Sequence, residues 1–413
     1  MSDEPADTRV ASGIAERSTS TETADATAEA GFRRLLRSGW TWLGAALVAA
    51  VAVPLVLNWS PTATPKGALT VRGADISTTL QQEAVGQAFT KGGKPASVEE
   101  ILAASGANYV RLRIWLNPPP GYPDQAAALE LARRAHEAGL KIFLNLHYSD
   151  FWADSKTQTT PAVWRTYDPP TLALTVKDYT RDVVAEFAKQ GTPVDMIQIG
   201  NEITNGMMWP VGRIYRPSGE DWTTFTTLLK AGIAGAREGN DPEHRLSIVV
   251  HSDRGADSGG NRYFFDRVLA SGVDFDAIGL SYYPFWHGPL PALKSNLDDL
   301  ATRYRKDLIL AETAYPWTLE GGDPNLGVAN ADYLPERAVF PPTIEGQRLY
   351  FRALRRILKE VPEQRGVGLF VFAPEWLPGV GSMPGATDPW ANLTTFDWNG
   401  RVLPGLAEAL AAP

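Results

Sequence analysis

Eight short runs rich in β-branched and aromatic residues punctuate the chain: VRGADI, YVRLRIW, KIFLNL, MIQIG, LSIVV, FDAIGLSYYP, LILAE and GVGLFVF. Longer amphipathic stretches separate them, among them DQAAALELARRAHEAG (Asp124 to Gly139), TLALTVKDYTRDVVAEFAKQG and EGQRLYFRALRRILKEV. Strands alternating with helices in this way over roughly 340 residues are what a (β/α)8 TIM barrel with enlarged loops requires, which places the chain in the α/β class. A doubly wound open sheet is the competing arrangement. No GxGxxG follows the first run and P-loop spacing is missing, so the usual reason for an open nucleotide-binding sheet is absent.

The ligand class is narrowed by composition. The chain has 413 residues, 44% of them hydrophobic, with 13 Trp, enough for a sizeable core. A formal charge of −8 leaves no broad basic field, so nucleic acid or an anionic polymer is excluded as the main partner and a neutral ligand fits better. Cysteine is absent, which removes disulfides, thiolate metal sites and a cysteine nucleophile.

The start of the chain has a different character. Residues 1–31 are rich in Ala, Ser, Thr and acids and read as a disordered cytoplasmic tail. From Trp40 to Trp59 there is no charge, a run of about the length that crosses a bilayer, preceded by Arg33, Arg34 and Arg37. Residues 32–59 are therefore expected to form a transmembrane signal-anchor, with a cleaved secretory or twin-arginine signal as the alternative. SPTATPKG (60–67) reads as a linker, and residues 68–413 as the barrel domain, a monomer on the extracellular face of the membrane or secreted.

In a barrel, the C-terminal ends of the strands converge on one mouth, and here those ends carry the polar residues. In order they are Asp75; Arg111, Arg113 and Trp115; Asn145 and His147; Asn201 and Glu202; His251 and Asp253; Tyr282, Tyr283, Trp286 and His287; and Glu312, Tyr315 and Trp317. Only two glutamates end strands, on the fourth and the seventh, nearly opposite across a closed barrel, and aromatics surround both. Cleavage of a glycosidic bond needs two carboxyl groups flanking it, one protonated and one ionised. Aromatic faces stack on sugar rings, while Asn, His and Arg bind hydroxyls. The structural alternatives are an ion pair of Glu202 with Arg111 or Arg113, and a turn-capping role for Asp75. Strand alternation puts Arg111 and Arg113 on one face and does not choose between them. The histidines lie on different strands without HExxH spacing, so no metal is expected.

The stretches RGADIS, NYVRLRIWLNP, LHYSDFWAD, IQIGNEITNGMMWP, GVDFDAIGLSYYPFWHG and AETAYPWTL closely resemble, in order, the arabinogalactan endo-β-1,4-galactanases of glycoside hydrolase family 53. The resemblance implies a (β/α)8 barrel in which Glu202 is the acid/base and Glu312 the nucleophile of an endo-acting, retaining hydrolase of β-1,4-galactan. It implies further that Asn201 holds the sugar 2-hydroxyl, that Tyr283 sits near the nucleophile, and that Arg111 helps keep Glu312 ionised. Asp75, Arg111, Trp115, Asn145, His147, Asn201, Tyr283, Trp286, His287 and Trp317 form the expected substrate-binding set. A retaining mechanism places the carboxyl groups about 5 to 5.5 Å apart, with the pKa of Glu202 raised and that of Glu312 low.

Two stretches depart from the family pattern. VFAPEW (Val371 to Trp376) stands where YWEPAW is usual, so Phe372 replaces a tryptophan, Ala373 a glutamate, and Glu375 appears two residues later. TDPWANLTTFD carries Ala391 in place of another glutamate. These changes keep hydrolysis of another neutral β-glycan, such as mannan or a glucan, and a non-catalytic sugar-binding barrel as alternatives. The calcium site of some bacterial members would fall on Asp323 and Asn325, where no dense ladder of oxygen ligands is present; no cofactor is expected.

Overall fold

The eight β-rich runs become β1 (Val71–Asp75), β2 (Tyr109–Ile114), β3 (Lys141–Leu146), β4 (Val194–Ile199), β5 (Ser247–Ser252), β6 (Ala277–Ser281), β7 (Asp307–Thr313) and β8 (Gly366–Phe372). This is a computed structural model, and it describes residues 67–322, 328–386 and 390–413. The tail, the expected signal-anchor and nearly all of the linker lie outside the described residues. Among the described residues, no helix is long and apolar enough to cross a membrane.

All neighbouring barrel strands run parallel, and β1 pairs with both β2 and β8, through Asp75 opposite Arg111 and Val71 opposite Gly368. The sheet is therefore a closed barrel, and the open doubly wound arrangement is excluded. The helices α1 (Val98–Ala104), α2 (Gln125–Glu137), α3 (Pro169–Gln190), α4 (Trp222–Gly239), α5 (Ser258–Ala270), α6 (Leu290–Tyr304), α7 (Ile344–Lys359) and α8 (Pro404–Leu410) follow the strands in turn. Their starts are written in the sequence: the side chains of Asp124, Asp168, Asp221, Asp257 and Thr343 each accept from a backbone N–H in the first turn of their helix. Each such cap stabilises its helix by about 1 kcal/mol.

The sixth run was expected to extend further than it does. FDAIGLSYYP forms a strand only over Ala277–Ser281, because Pro284 opens a short helix, Pro284–His287, that turns Tyr283 away from the ladder.

Side chains two residues apart on a strand share a face, and the barrel interior uses this to stack two layers. The lower layer is apolar and includes Phe143, Met196, Val249, Ile309 and Phe370. The upper layer, two residues on in the same strands, holds Asn145, Gln198 and His251, all buried. Phe143 is the floor under Arg111, whose guanidinium carbon lies 5.7 Å from its ring centroid, and it packs at 5.0 Å on Phe370. Phe370 has room only because β1 carries Gly73: a Cβ there would meet the Phe370 ring at 2.6 Å and the Tyr109 carbonyl oxygen at 2.5 Å.

Candidate active site

Glu202 follows β4 in the left-handed backbone region, at φ 50 and ψ 52. A residue with a side chain is held there at a cost of about 1 kcal/mol or more. The turn is set by Gly200, at φ 79, where a Cβ would run into Ile203 at 2.5 Å. Its consequence is to point the Glu202 amide at His251 Nδ1, 3.3 Å away. The carboxyl Oε1 accepts from the Ser281 hydroxyl at 2.6 Å, and Ser281 Oγ lies 3.1 Å from His251 Nε2.

Glu312 stands within β7 and is held differently. Oε1 accepts from Arg111 at 2.8 Å and Oε2 from the Tyr283 hydroxyl at 3.1 Å. Arg111 is wholly buried, with a second nitrogen on Asp75 at 2.7 Å. The nitrogen that holds Glu312 also reaches Gln198 Oε1 and Asn201 Oδ1, both at 3.1 Å. One cation thus ties the strand-seven acid to the residue beside the strand-four acid. It also answers the question left open by alternation, since Arg111 rather than Arg113 contacts the glutamate.

Burial holds the Glu202 carboxyl well above the ordinary carboxylate range; the charges of Glu312 and Asp253 add to this and the Ser281 hydroxyl opposes it. Glu312 was expected to be low, but burial raises it too. The Arg111 charge opposes that rise and Asp75 adds to it, so the two acids separate by degree and not by direction. Of the pair, only Glu312 has a cation on it that favours the charged form. His147 and His251 are kept neutral by burial.

The expected binding residues fall into three groups. Asp75, Arg111, Asn145 and Asn201 belong to one buried network with Tyr283 and the two glutamates, and His147 joins it through Asn145 at 3.1 Å. Asp75 also accepts from the backbone and hydroxyl of Ser77, so the turn-capping reading and the Arg111 contact are both realised. Trp286, about half exposed at 48%, meets the Tyr283 ring edge-on at 5.0 Å, and His287 Nδ1 accepts from the Tyr283 amide. Trp115 borders the network through His147, to which it donates, and is buried against Phe151 and Trp152, while Trp317 is bonded to Thr394 and packs on Trp398.

Sequence reasoning passed over Gln198 and Ser281, and named Arg113 and Glu375 without including them in the expected binding set. Gln198 lies at the centre of the network, bonded to Asn145, Asn201 and His251, and its place two residues before Gly200 in an apolar run was the available signal. Ser281 ends β6 opposite Glu312 in the ladder. Arg113 is buried among aromatics, 4.2 Å from the Trp152 centroid and 4.9 Å from that of Trp115. Glu375 is buried, accepting from the hydroxyls of Thr78 and Thr79, just past the end of β1, at 2.8 and 3.1 Å.

Among the described residues, no group of three or more His, Cys, Asp or Glu is arranged to hold a metal ion; Asp323 and Asn325 lie outside them. A cavity of about 430 Å³ opens at the opposite end of the barrel, lined by Tyr109, Lys141, Asp195 and Asp307 among others, and contains none of the expected site residues.

A closed parallel barrel with two glutamates at the ends of its fourth and seventh strands, Glu312 buried and Glu202 half-buried, defines a glycosidase of the paired-carboxylate type. The family model of Glycosyl hydrolase family 53 matches residues 71–408. An uncharacterized protein of Niallia circulans is 39% identical over 81% of this chain and 91% of its own length. The arabinogalactan endo-beta-1,4-galactanase A of Emericella nidulans is 36% identical over 81% of this chain and 92% of its own. The GH53 catalytic domain of Ignisphaera aggregans superposes with a TM-score of 0.76 at 32% identity, over 87% of this chain and all of that one. The chain belongs to glycosyl hydrolase family 53.

Proposed function

We propose that this glycosidase is an endo-acting, retaining hydrolase of β-1,4-galactan of the type I arabinogalactan kind. Glu312 is the nucleophile and Glu202 the acid/base. The observation that carries the assignment is the unequal holding of the two acids: Arg111 and Tyr283 donate to Glu312, and only a hydroxyl donates to the Glu202 side chain. In the first step the Glu312 carboxylate attacks the anomeric carbon, the glycosidic C–O bond breaks, and the leaving oxygen takes the proton of Glu202. In the second, water attacks the glycosyl-enzyme, gives its proton to the Glu202 carboxylate, and releases Glu312. One N–H of the Asn201 amide is on the Ala153 carbonyl at 2.9 Å; the other is available to the sugar 2-hydroxyl.

The galactan reading is supported by relatives such as the Emericella enzyme, whose name states that substrate. The changes in VFAPEW favour a second reading, another neutral β-glycan. Phe372 packs on Trp390 at 5.2 Å where a tryptophan is usual, and Glu375 is turned inward to Thr78 and Thr79. A panel of galactan, mannan and glucans decides between them. On the preferred polymer, Glu202→Gln and Glu312→Gln each abolish release of oligosaccharides, and NMR of the first product shows the β-anomer; an inverted product excludes the mechanism.

A polymer of this size is met outside the cell, which agrees with an export element at Trp40–Trp59 and with action by a monomer on the outer membrane face or after secretion. Cell fractionation of the full chain tests the location and size-exclusion chromatography the monomer.

A further inference from the structure

The two oxygens of the Glu202 carboxyl are not equivalent. Oε1 lies 2.6 Å from Ser281 Oγ, whereas no hydrogen-bond partner among the described residues reaches Oε2. Whether the serine gives or takes a proton there is decided one bond further away, at His251. That ring is fully buried and neutral, so it carries one N–H. The Glu202 backbone N–H points at Nδ1 from 3.3 Å, and the Gln198 amide nitrogen lies 3.0 Å from the same atom. A backbone N–H cannot rotate away, so Nδ1 accepts. Asn201 Oδ1 also lies 3.1 Å from Nδ1, but it already accepts from Arg111, Gln198 and Asn145 and needs no further donor. The ring proton is therefore on Nε2, facing Ser281 Oγ at 3.1 Å. With that lone pair of the serine engaged, its own proton is directed to Glu202 Oε1.

Building on the acid/base role of Glu202, we propose that Ser281, fixed by the Nε2–H tautomer of His251, is a positioning residue that reserves Oε1 as an acceptor and leaves Oε2 to deliver and retrieve the catalytic proton. The arrangement is a closed circuit, because the amide that sets the His251 tautomer belongs to Glu202 itself. The left-handed backbone at Glu202 gains a purpose from this: it brings amide and carboxyl to the two ends of one Ser–His pair.

A fixed donor on Oε1 favours the carboxylate form and restrains the upward push on this acid. The other charged or titratable groups that bear on Glu202 are Glu312, Asp253, Asp154 and Tyr283, with Asp253 also bonded to the Thr204 hydroxyl and 4.0 Å from Arg254. None of them is removed by a change at Ser281.

The test is Ser281→Ala, with Ser281→Cys as a closer match in volume and a weaker donor. The alkaline limb of kcat/KM on soluble galactan, which reports protonated Glu202, moves up by about half to one pH unit in Ser281→Ala and by less in Ser281→Cys. With a nitrophenyl β-galactobioside, whose good leaving group makes deglycosylation limiting, the acidic limb of kcat moves up as well, because Glu202 must there be ionised. Nitrogen-15 NMR of the wild type shows His251 as the Nε2–H tautomer. Unchanged limbs in both variants, or an Nδ1–H tautomer, overturn the inference even where Glu202→Gln is inactive. An active Glu202→Gln overturns the role on which it rests.

Discussion

The two glutamates at the barrel mouth stand close enough to feel each other's charge, yet one is clamped by a cation and a phenol and the other by a single hydroxyl. Desolvation acts on both and raises both. The difference between them comes from partners, and the partners come from different strands: Arg111 from β2 and Tyr283 after β6 for Glu312, against Ser281 at the end of β6 for Glu202. A shared environment sets the direction of a pKa shift, and the local donor set decides which group protonates first.

The strongest way to break this contrast is Arg111→Met. It strands the charges of Asp75 and Glu312 in a buried site, and we expect a loss of about 3 to 5 kcal/mol in stability, read as a drop in Tm. Without the cation, Glu312 ionises only at higher pH, so the acidic limb of kcat/KM moves up and the two acids become alike. A variant that melts and titrates like the wild type would mean that the cation does not separate them. Tyr283→Phe weakens the clamp without emptying it. Loss of one hydrogen bond to a charged group costs about 1.5 to 3 kcal/mol, or roughly 10- to 100-fold in kcat/KM, with a smaller rise of the same limb.

Glu375, another buried acid, sharpens the comparison because its hydrogen-bond partners are hydroxyls and no cation among the described residues is bonded to it. Glu375 is raised to about 8, by burial first, and its Oε2 has no hydrogen-bond partner among the described residues. Since its folded pKa lies above the unfolded value, the stability it contributes is fully present below about pH 4.5 and is lost as pH rises through about 8. Glu375→Gln keeps the contacts to Thr78 and Thr79 and removes the ionisation. The expected result is a Tm that falls less between pH 5 and 8 than in the wild type, with a slope difference of at most about 1.4 kcal/mol per pH unit. Identical slopes would show that Glu375 is not the group responsible.

Much of the barrel was legible because β-branched runs bounded by caps are local features: Gly366–Phe372 is a strand and Asp124 a cap within their own few residues. The two glutamates were legible because strand ends converge. What escaped depends on how neighbouring strands are staggered. Gln198 and Ser281 enter the site through pairings with β3, β5 and β7 that no single run encodes. The packing of Trp115 was hidden for a related reason, since its ring rests on Phe151 and Trp152 from the next loop. That Glu312 is raised and not lowered also required knowing that it is buried.

The stacking of Phe143 beneath Arg111 and of Met196 beside Gln198 has a bearing on how such an enzyme can diversify. Support and chemistry alternate along the same ribbons, so inserting or deleting one residue inside a ribbon would exchange what faces inward for what faces outward, removing anchor and reagent together. Changes of length are therefore confined to the connecting segments. New appetites for other polymers have to arise by replacing side chains at the mouth, where the active site is built.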